Sequence, residues 1–279
     1  MRLFKIVAIG LFFFIAGFSV RIINNWFTAF YSNNCSAKTI SKIIETNCLD
    51  EVKNHIKNEK NVLVVLDMDN TLIMPSLSVG SDPWFSYMVD QRVKEGYSLS
   101  EAIDLVLPLF RKIHERQRYN LVEPTIPELI NYLKDRNIPT VILTNRGHEQ
   151  KEVVLKKVSE AGLPLILTQF GGKDLSATFD ELMLYSNGII FCGKNDKGKM
   201  LFHILDTVEF KPSKIIFVDD KYRYLASVER ACVEHNIDYV GIRYGGCDEF
   251  VAAFDPQKAE EELKVLFAQD ELESIPVIP

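Results

Sequence analysis

Three short apolar runs, each stopping at a polar cluster, constrain this chain more than any other feature. Asn61 to Leu66 reads Asn-Val-Leu-Val-Val-Leu and runs into Asp67-Met68-Asp69. Thr140 to Leu143 reads Thr-Val-Ile-Leu and ends at Thr144-Asn145-Arg146-Gly147, and Lys214 to Val218 reads Lys-Ile-Ile-Phe-Val and ends at Asp219-Asp220. Runs of this length, rich in Val and Ile and free of polar alternation, are what a strand buried on both faces of a parallel sheet requires. Helical patterns lie between and after them: Thr125 to Arg136, with Thr125 and Glu128 at capping-box spacing, then His148 to Ala161, Lys199 to Val208 and Tyr222 to His235. A fourth strand, Tyr239 to Tyr244, and a charged helix over 256–269 follow. This alternation predicts an α/β fold, a Rossmann-like doubly wound parallel sheet whose ligands gather at the carboxyl ends of the strands.

The first two strands are separated by more chain than one crossover helix needs. Residues 75–122 are therefore read as a small helical cap inserted after the first strand, with a core made of 60–74 and 123–250. Ser98 and Glu101 form a capping box before Leu105, Leu107, Leu109 and Ile113, and Pro108 is expected to kink that helix. Asn187-Gly188, between two apolar triplets, predicts a two-residue hairpin and a small antiparallel embellishment. Ile40, Ile43, Ile44 and Val52 suggest a lead-in helix over 36–58.

At the N-terminus, Arg2 and Lys5 precede the uncharged residues 6–20, and Arg21 closes the run. Residues 1–20 read as a secretory signal, short for a membrane span, with Gly17 and Ser19 the best small pair for cleavage. The chain is thus expected to be exported, either periplasmic or secreted, or held at the inner membrane by 6–20 as an uncleaved anchor. That segment is the only membrane contact expected. The five cysteines, Cys35, Cys48, Cys192, Cys232 and Cys247, contain no CxxC pair, which argues against a thiolate metal cluster and leaves a Cys35–Cys48 bridge open in an exported chain. With 47% hydrophobic and 25% charged residues the chain is globular rather than disordered. A net charge of −6 with no long basic run argues against nucleic-acid binding.

Asp67 and Asp69 place two carboxylates two residues apart where a buried strand stops, and neither can sit in a core without a partner. A calcium loop is a poor match: Leu72 stands where Gly is needed and Ser78 where Glu is needed. A solvated turn or a capping Asp would account for one carboxylate. The pair alone leaves a metal as one option.

Taken with Asn70-Thr71, with Thr144 after a second strand, Lys197 ahead of a helix and Asp219-Asp220 after a later strand, the pair resembles the four motifs of the haloacid dehalogenase superfamily, in order, over roughly residues 60 to 245. Thr144-Asn145-Arg146, the leader and the modest insertion are also similar to secreted class C acid phosphatases and related exported bacterial proteins. The resemblance implies a magnesium-dependent phosphomonoester hydrolase. Asp67 would be the nucleophile that forms an aspartyl-phosphate, and Asp69 the residue that protonates the leaving oxygen and then activates water. Thr144, Asn145 and Lys197 would hold the phosphoryl group. Magnesium would be held by Asp67, the Asp69 carbonyl and Asp219, with Asp220 behind them orienting the site or pairing Lys197, and the two last acids could exchange roles.

Lys199 is the alternative to Lys197, and the Tyr222-Arg223-Tyr224 stretch after the fourth motif departs from related sequences, which often carry Asn at the last position. The five histidines read as surface or helix-end residues, with His148 the one near enough to Thr144 to meet substrate. Trp84, Phe85 and Tyr87 either pack the cap or line its pocket, packing being favoured. The expected partner is a small phosphorylated substrate. Two other functions fit the same residues: a catalytically idle exported protein that keeps the fold as an interaction module, and a phosphotransferase to an acceptor other than water.

Overall fold

The computed structural model describes residues 39–56, 61–164, 170 and 172–268. Every element below belongs to the compact unit that begins at Ile40. The expected signal over 1–20, with its cleavage or anchoring, and Cys35 with its bridge to Cys48, lie outside the described residues. Cys48 is exposed, whereas Cys192, Cys232 and Cys247 are buried.

The expected strands form because their side chains have two cores to enter. In β2 (Val62–Leu66), Val62, Val64 and Leu66 enter one core while Leu63 and Val65 enter the other. The same alternation sends Ile142 of β5 (Thr140–Thr144) one way and Val141 and Leu143 the other; in β9 (Lys214–Asp219), Ile216 and Val218 oppose Ile215 and Phe217. One face is covered by α4 (Ile126–Asp135) and α5 (Lys151–Glu160), the other by α6 (Lys197–Thr207) and α7 (Tyr222–Glu234). The structure is thus the doubly wound α/β sheet, mostly parallel with helices on both faces.

With β1 (Ser41–Thr46), β6 (Leu175–Thr178), β7 (Leu182–Ser186), β8 (Ile189–Phe191) and β10 (Asp238–Tyr244), the sheet order is β1-β10-β9-β2-β5-β8-β7-β6. All pairings from β1 through β8 are parallel, and β8-β7 and β7-β6 are antiparallel. Asn187 and Gly188, with φ of 50° and 78°, make the tight hairpin between β7 and β8. That hairpin is more than an embellishment. β8 pairs in parallel with β5, so the element joins the main sheet and delivers the chain toward Lys197.

The lead-in helix over 36–58 is corrected: the described residues of that segment hold β1 and a short helix, α1 (Glu51–Ile56). Ile43 and Ile44, which helical spacing would put on one stripe, face opposite sides, one on each core, while β1 pairs along β10. Its β-branched residues fit that edge, and exposed Ser41, Lys42 and Glu45 guard it. The Thr125–Glu128 capping box does not form either. Thr125 is itself helical (φ −86°, ψ −2°), and its hydroxyl donates to Glu123 at 3.2 Å.

Between β2 and α4 the chain forms β3 (Ile73–Pro75), α2 (Asp82–Lys94), α3 (Leu99–Arg116) and β4 (Tyr119–Leu121). β3 and β4 pair antiparallel and pin the two ends of the insertion together. Ser98 and Glu101 form the capping box at the start of α3, which runs on through Pro108. Trp84, Val89, Val106 and Ile113 make a separate small core, completed by Ala259 of α9 (Pro256–Leu266) and by Phe267. Trp84 is therefore packing. The short α8 (Asp248–Ala252) precedes α9. Among the described residues no helix is long and apolar enough to cross a membrane.

Candidate active site

β2, β5 and β9 are adjacent, so their carboxyl ends bring Asp67, Thr144 and Asp219 to one place. The backbone N–H of Asp67 still pairs with Val218 O at 2.9 Å, after which the chain turns sharply: Leu72 and Ile73 both donate to Met68 O, and Asn70 takes φ 61°. The turn lifts Asp69 toward the cap while Asp67 stays with the sheet.

Lys197 enters from the first turn of α6. Its ammonium donates to Asp67 Oδ1 at 2.5 Å and Asp219 Oδ2 at 2.7 Å, and lies 4.4 Å from the Tyr224 ring centroid. Of the two candidate lysines, Lys199 is exposed and Lys197 is the one inside. Gly198 explains how it gets there. A Cβ on Gly198 would come within 2.5 Å of Ser227 O, so glycine alone lets α6 press against α7, and its N–H donates to Ser227 Oγ. The other oxygen of Asp219 accepts from Lys221 N at 2.8 Å. Pairing of Asp220 with Lys197 is corrected, since Lys197 goes to Asp67 and Asp219. Asp220 instead accepts from Asn70 at 3.3 Å, and Asn70 also reaches Asp82 at the start of α2. Asp82 in turn pairs with Lys221.

Asp69 is held by Arg146 at both oxygens, Nε to Oδ2 at 2.9 Å and Nη2 to Oδ1 at 2.7 Å. Thr144 Oγ1 accepts the Arg146 N–H at 3.2 Å, which leaves the threonine proton free to donate elsewhere. Asn145 donates to Gly193 O at 2.9 Å, tying the loop after β5 to the loop after β8, and its Oδ1 is buried without a partner.

Charge and burial oppose one another throughout the site. Burial pushes the Asp67 carboxyl above its ordinary range, with the Lys197 charge offsetting only part, and Asp219 is raised further for the same reason. Burial also pushes Asp220 up to about 6, against the pull of Lys221. Burial alone would lower Lys197, but the Asp219 and Asp67 charges raise it well above the ordinary lysine range. Asp69 is the exception: burial would raise it, yet the Arg146 charge and fork hold it below the usual carboxylate range.

Asp67, Asp219 and Asp220 each offer a carboxylate oxygen, and those atoms lie within 4.8 Å of one another. The four carboxylates of the ion pairs just described (Asp67, Asp69, Asp82, Asp219) together with Asp220 outnumber the three cations (Arg146, Lys197, Lys221) by two negative charges when all are ionised. An all-oxygen donor set with that deficit suits a hard divalent cation.

A cavity of about 1630 Å³ opens over these strand ends. Its lining includes Phe85 and Tyr87 of α2 and Phe110 of α3, so these three cap aromatics border the space while Trp84 packs in the cap core. His148 does not line it and pairs with Glu149. Reading the sequence missed Arg146, Lys221, Asp82, Tyr119 and His114. Arg146 and Lys221 stand in strand-end loops where they could have been flagged, whereas the other three come from the insertion and carry no local signal. His114 is buried rather than a surface histidine, with Nε2 at 2.9 Å from Gly80 O.

A family described as a protein of unknown function, DUF2608, matches residues 45–273. The chain belongs to this DUF2608 family. The matched span holds Asp67, Asp69, Thr144, Asn145, Lys197, Asp219 and Asp220, so the whole site is part of the DUF2608 region. A Chlamydia pneumoniae chain named as a candidate outer membrane protein is 28% identical over 221 residues, 78% of this chain and 82% of that one. An uncharacterized protein of Rickettsia prowazekii is 26% identical over 235 residues, 79% and 84% of the two chains. Among solved structures, the class C acid phosphatase of Bacillus anthracis with tungstate bound aligns at a TM-score of 0.34 and 14% identity, covering 79% of this chain and 84% of that one. A haloacid dehalogenase-like hydrolase from Streptococcus pneumoniae aligns at 0.39 and 15%, covering 69% and 98%.

Proposed function

We propose that this chain is a magnesium-dependent phosphomonoester hydrolase of the haloacid dehalogenase type, acting on a small phosphorylated substrate through an aspartyl-phosphate on Asp67. The observation that carries this reading is the Asp67–Lys197–Asp219 cluster. A carboxylate at a strand end, in contact with a buried ammonium and flanked by two more acids, faces a cavity together with Thr144.

Asp67, Asp219 or Asp220, and the Asp69 carbonyl would hold the ion. Magnesium would neutralise phosphoryl oxygens that otherwise repel a carboxylate nucleophile. Lys197 would favour the ionised form of Asp67, and the free Thr144 proton would meet a phosphoryl oxygen. Asp69 would give a proton to the leaving oxygen and later take one from water. Export of the chain is supported by the charged, apolar and again charged order of residues 1–21 and agrees with the name of the Chlamydia relative.

Turnover of 4-nitrophenyl phosphate with and without magnesium tests the reading. Wild type should release phosphate only with the metal, and Asp67→Asn should be inactive; equal rates in the two proteins would rule out the covalent route.

A further inference from the structure

Arg146 stands two residues past Thr144 and is only 7% exposed. Beyond its two bonds to Asp69, its guanidinium donates to Tyr119 Oη at 3.1 Å and Gln150 Oε1 at 3.3 Å. Tyr119 belongs to β4 at the base of the cap and Gln150 to the turn before α5, so the plane of the fork is fixed from two sides. Through its N–H on Thr144 and its fork on Asp69, one residue links the threonine beside Asp67 to both oxygens of the proton carrier. The Asp69 side chain is 28% exposed against 6% for Arg146, so the carboxylate faces the cavity and the arginine backs it.

We infer that Arg146 is the positioning residue of Asp69, aligning its carboxylate for the second half of the reaction, in which water opens the aspartyl-phosphate. The inference rests on the phosphatase reading. In that step the water oxygen bonds to phosphorus, the bond from phosphorus to the Asp67 oxygen breaks and leaves its electron pair on the carboxylate, and the water proton passes to Asp69. A carboxylate gripped at both oxygens by a planar fork presents its outer lone pairs in one orientation, which suits a base that must meet a single water. In the first half Asp69 acts as an acid, and a leaving group as good as 4-nitrophenolate needs little help from it. Loss of the fork should therefore slow the second half more than the first.

The test compares wild type, Arg146→Gln and Arg146→Lys, as full chains, in rapid-quench reactions with 4-nitrophenyl phosphate and magnesium. In Arg146→Gln, kcat should fall on the order of 10- to 100-fold while the burst of nitrophenol persists and acid-trapped phosphoprotein rises above the wild-type level. Arg146→Lys keeps the charge without the fork; it should show the same accumulation, and it carries the test if the glutamine variant does not fold. Asp69→Asn should accumulate phosphoprotein too, and adding Arg146→Gln to it should cost little more. Burst and steady-state rates that fall together, with no rise in phosphoprotein, would give Arg146 a packing role and overturn the inference. A wild-type protein that forms no phosphoprotein and releases no phosphate would remove the phosphatase reading itself.

Discussion

Lys197 Nζ donates to Asp67 Oδ1 at 2.5 Å across 130 residues of sequence, and the lysine side chain is fully shielded from water. An ammonium buried in this way is stable only because Asp67 and Asp219 share it. Removing it would leave two carboxylates facing each other with desolvation uncompensated. Lys197→Met should therefore destabilise the fold by roughly 3–5 kcal/mol, whereas Lys199→Met, at an exposed position, should stay within about 0.5 kcal/mol of wild type. Urea denaturation of both variants measures this, and equal midpoints would deny the lysine its structural part.

If Asp67, Asp219 and Asp220 hold magnesium as proposed, the cation should bind the folded chain and not the unfolded one. Magnesium at about a hundred times its Kd should add roughly 2.7 kcal/mol of stability. Asp220→Asn and Asp219→Asn should each weaken that response, while sodium chloride at matched ionic strength should not reproduce it. Thermal unfolding against magnesium concentration is the measurement, and a flat Tm would count against the site.

His114 predicts a pH dependence of stability. Burial and then the Arg146 charge depress it to about 3, with the Asp69 charge and the bond to Gly80 O offsetting only part. Unfolded, the ring titrates near about 6.5. Above that pH it is neutral in both states and the contribution is complete. As pH falls from 6.5 toward 3, the unfolded chain takes up a proton that the folded chain refuses, and stability declines, by about 2 kcal/mol at pH 5. Denaturation at about pH 7.5 and pH 5 should show a smaller loss in His114→Gln by that amount, and identical losses would place the titration elsewhere.

The parts of this fold visible in the sequence are those whose signal is local. β2 and the interiors of β5 and β9 are apolar because both faces are covered, and Asp67, Thr144 and Asp219 stand out because polarity begins where those apolar runs end. β1 was hidden because an edge strand half-covered on each face shows neither alternation nor a continuous run. The partners of the site residues were hidden for another reason. Asp82 meets Lys221 over 139 residues, and Tyr119 meets Arg146 only because the cap closes on the sheet. Such contacts depend on docking between elements, and no periodicity within either element encodes that.

Among the described residues, three ion pairs join the cap to the core, each at a different strand-end loop: Asp82 to Lys221 after β9, Arg111 to Glu149 after β5, and Asp104 to Lys194 after β8. All are partly exposed, so each should contribute no more than about 1 kcal/mol to global stability. Their placement matters more than their strength, because together they hold α2 and α3 over the cavity. Asp82→Asn, Arg111→Gln and Asp104→Asn should each leave the unfolding midpoint nearly unchanged while hydrogen exchange in α2 and α3 quickens. Salt should act in the same direction on wild type, since charges this exposed are screened over about 8–10 Å at physiological ionic strength. Exchange that is unaltered in all three variants and insensitive to salt would mean that the apolar contacts of Val79, Trp84 and Ile113, together with the β3–β4 ribbon, are enough to seat the cap without its charges.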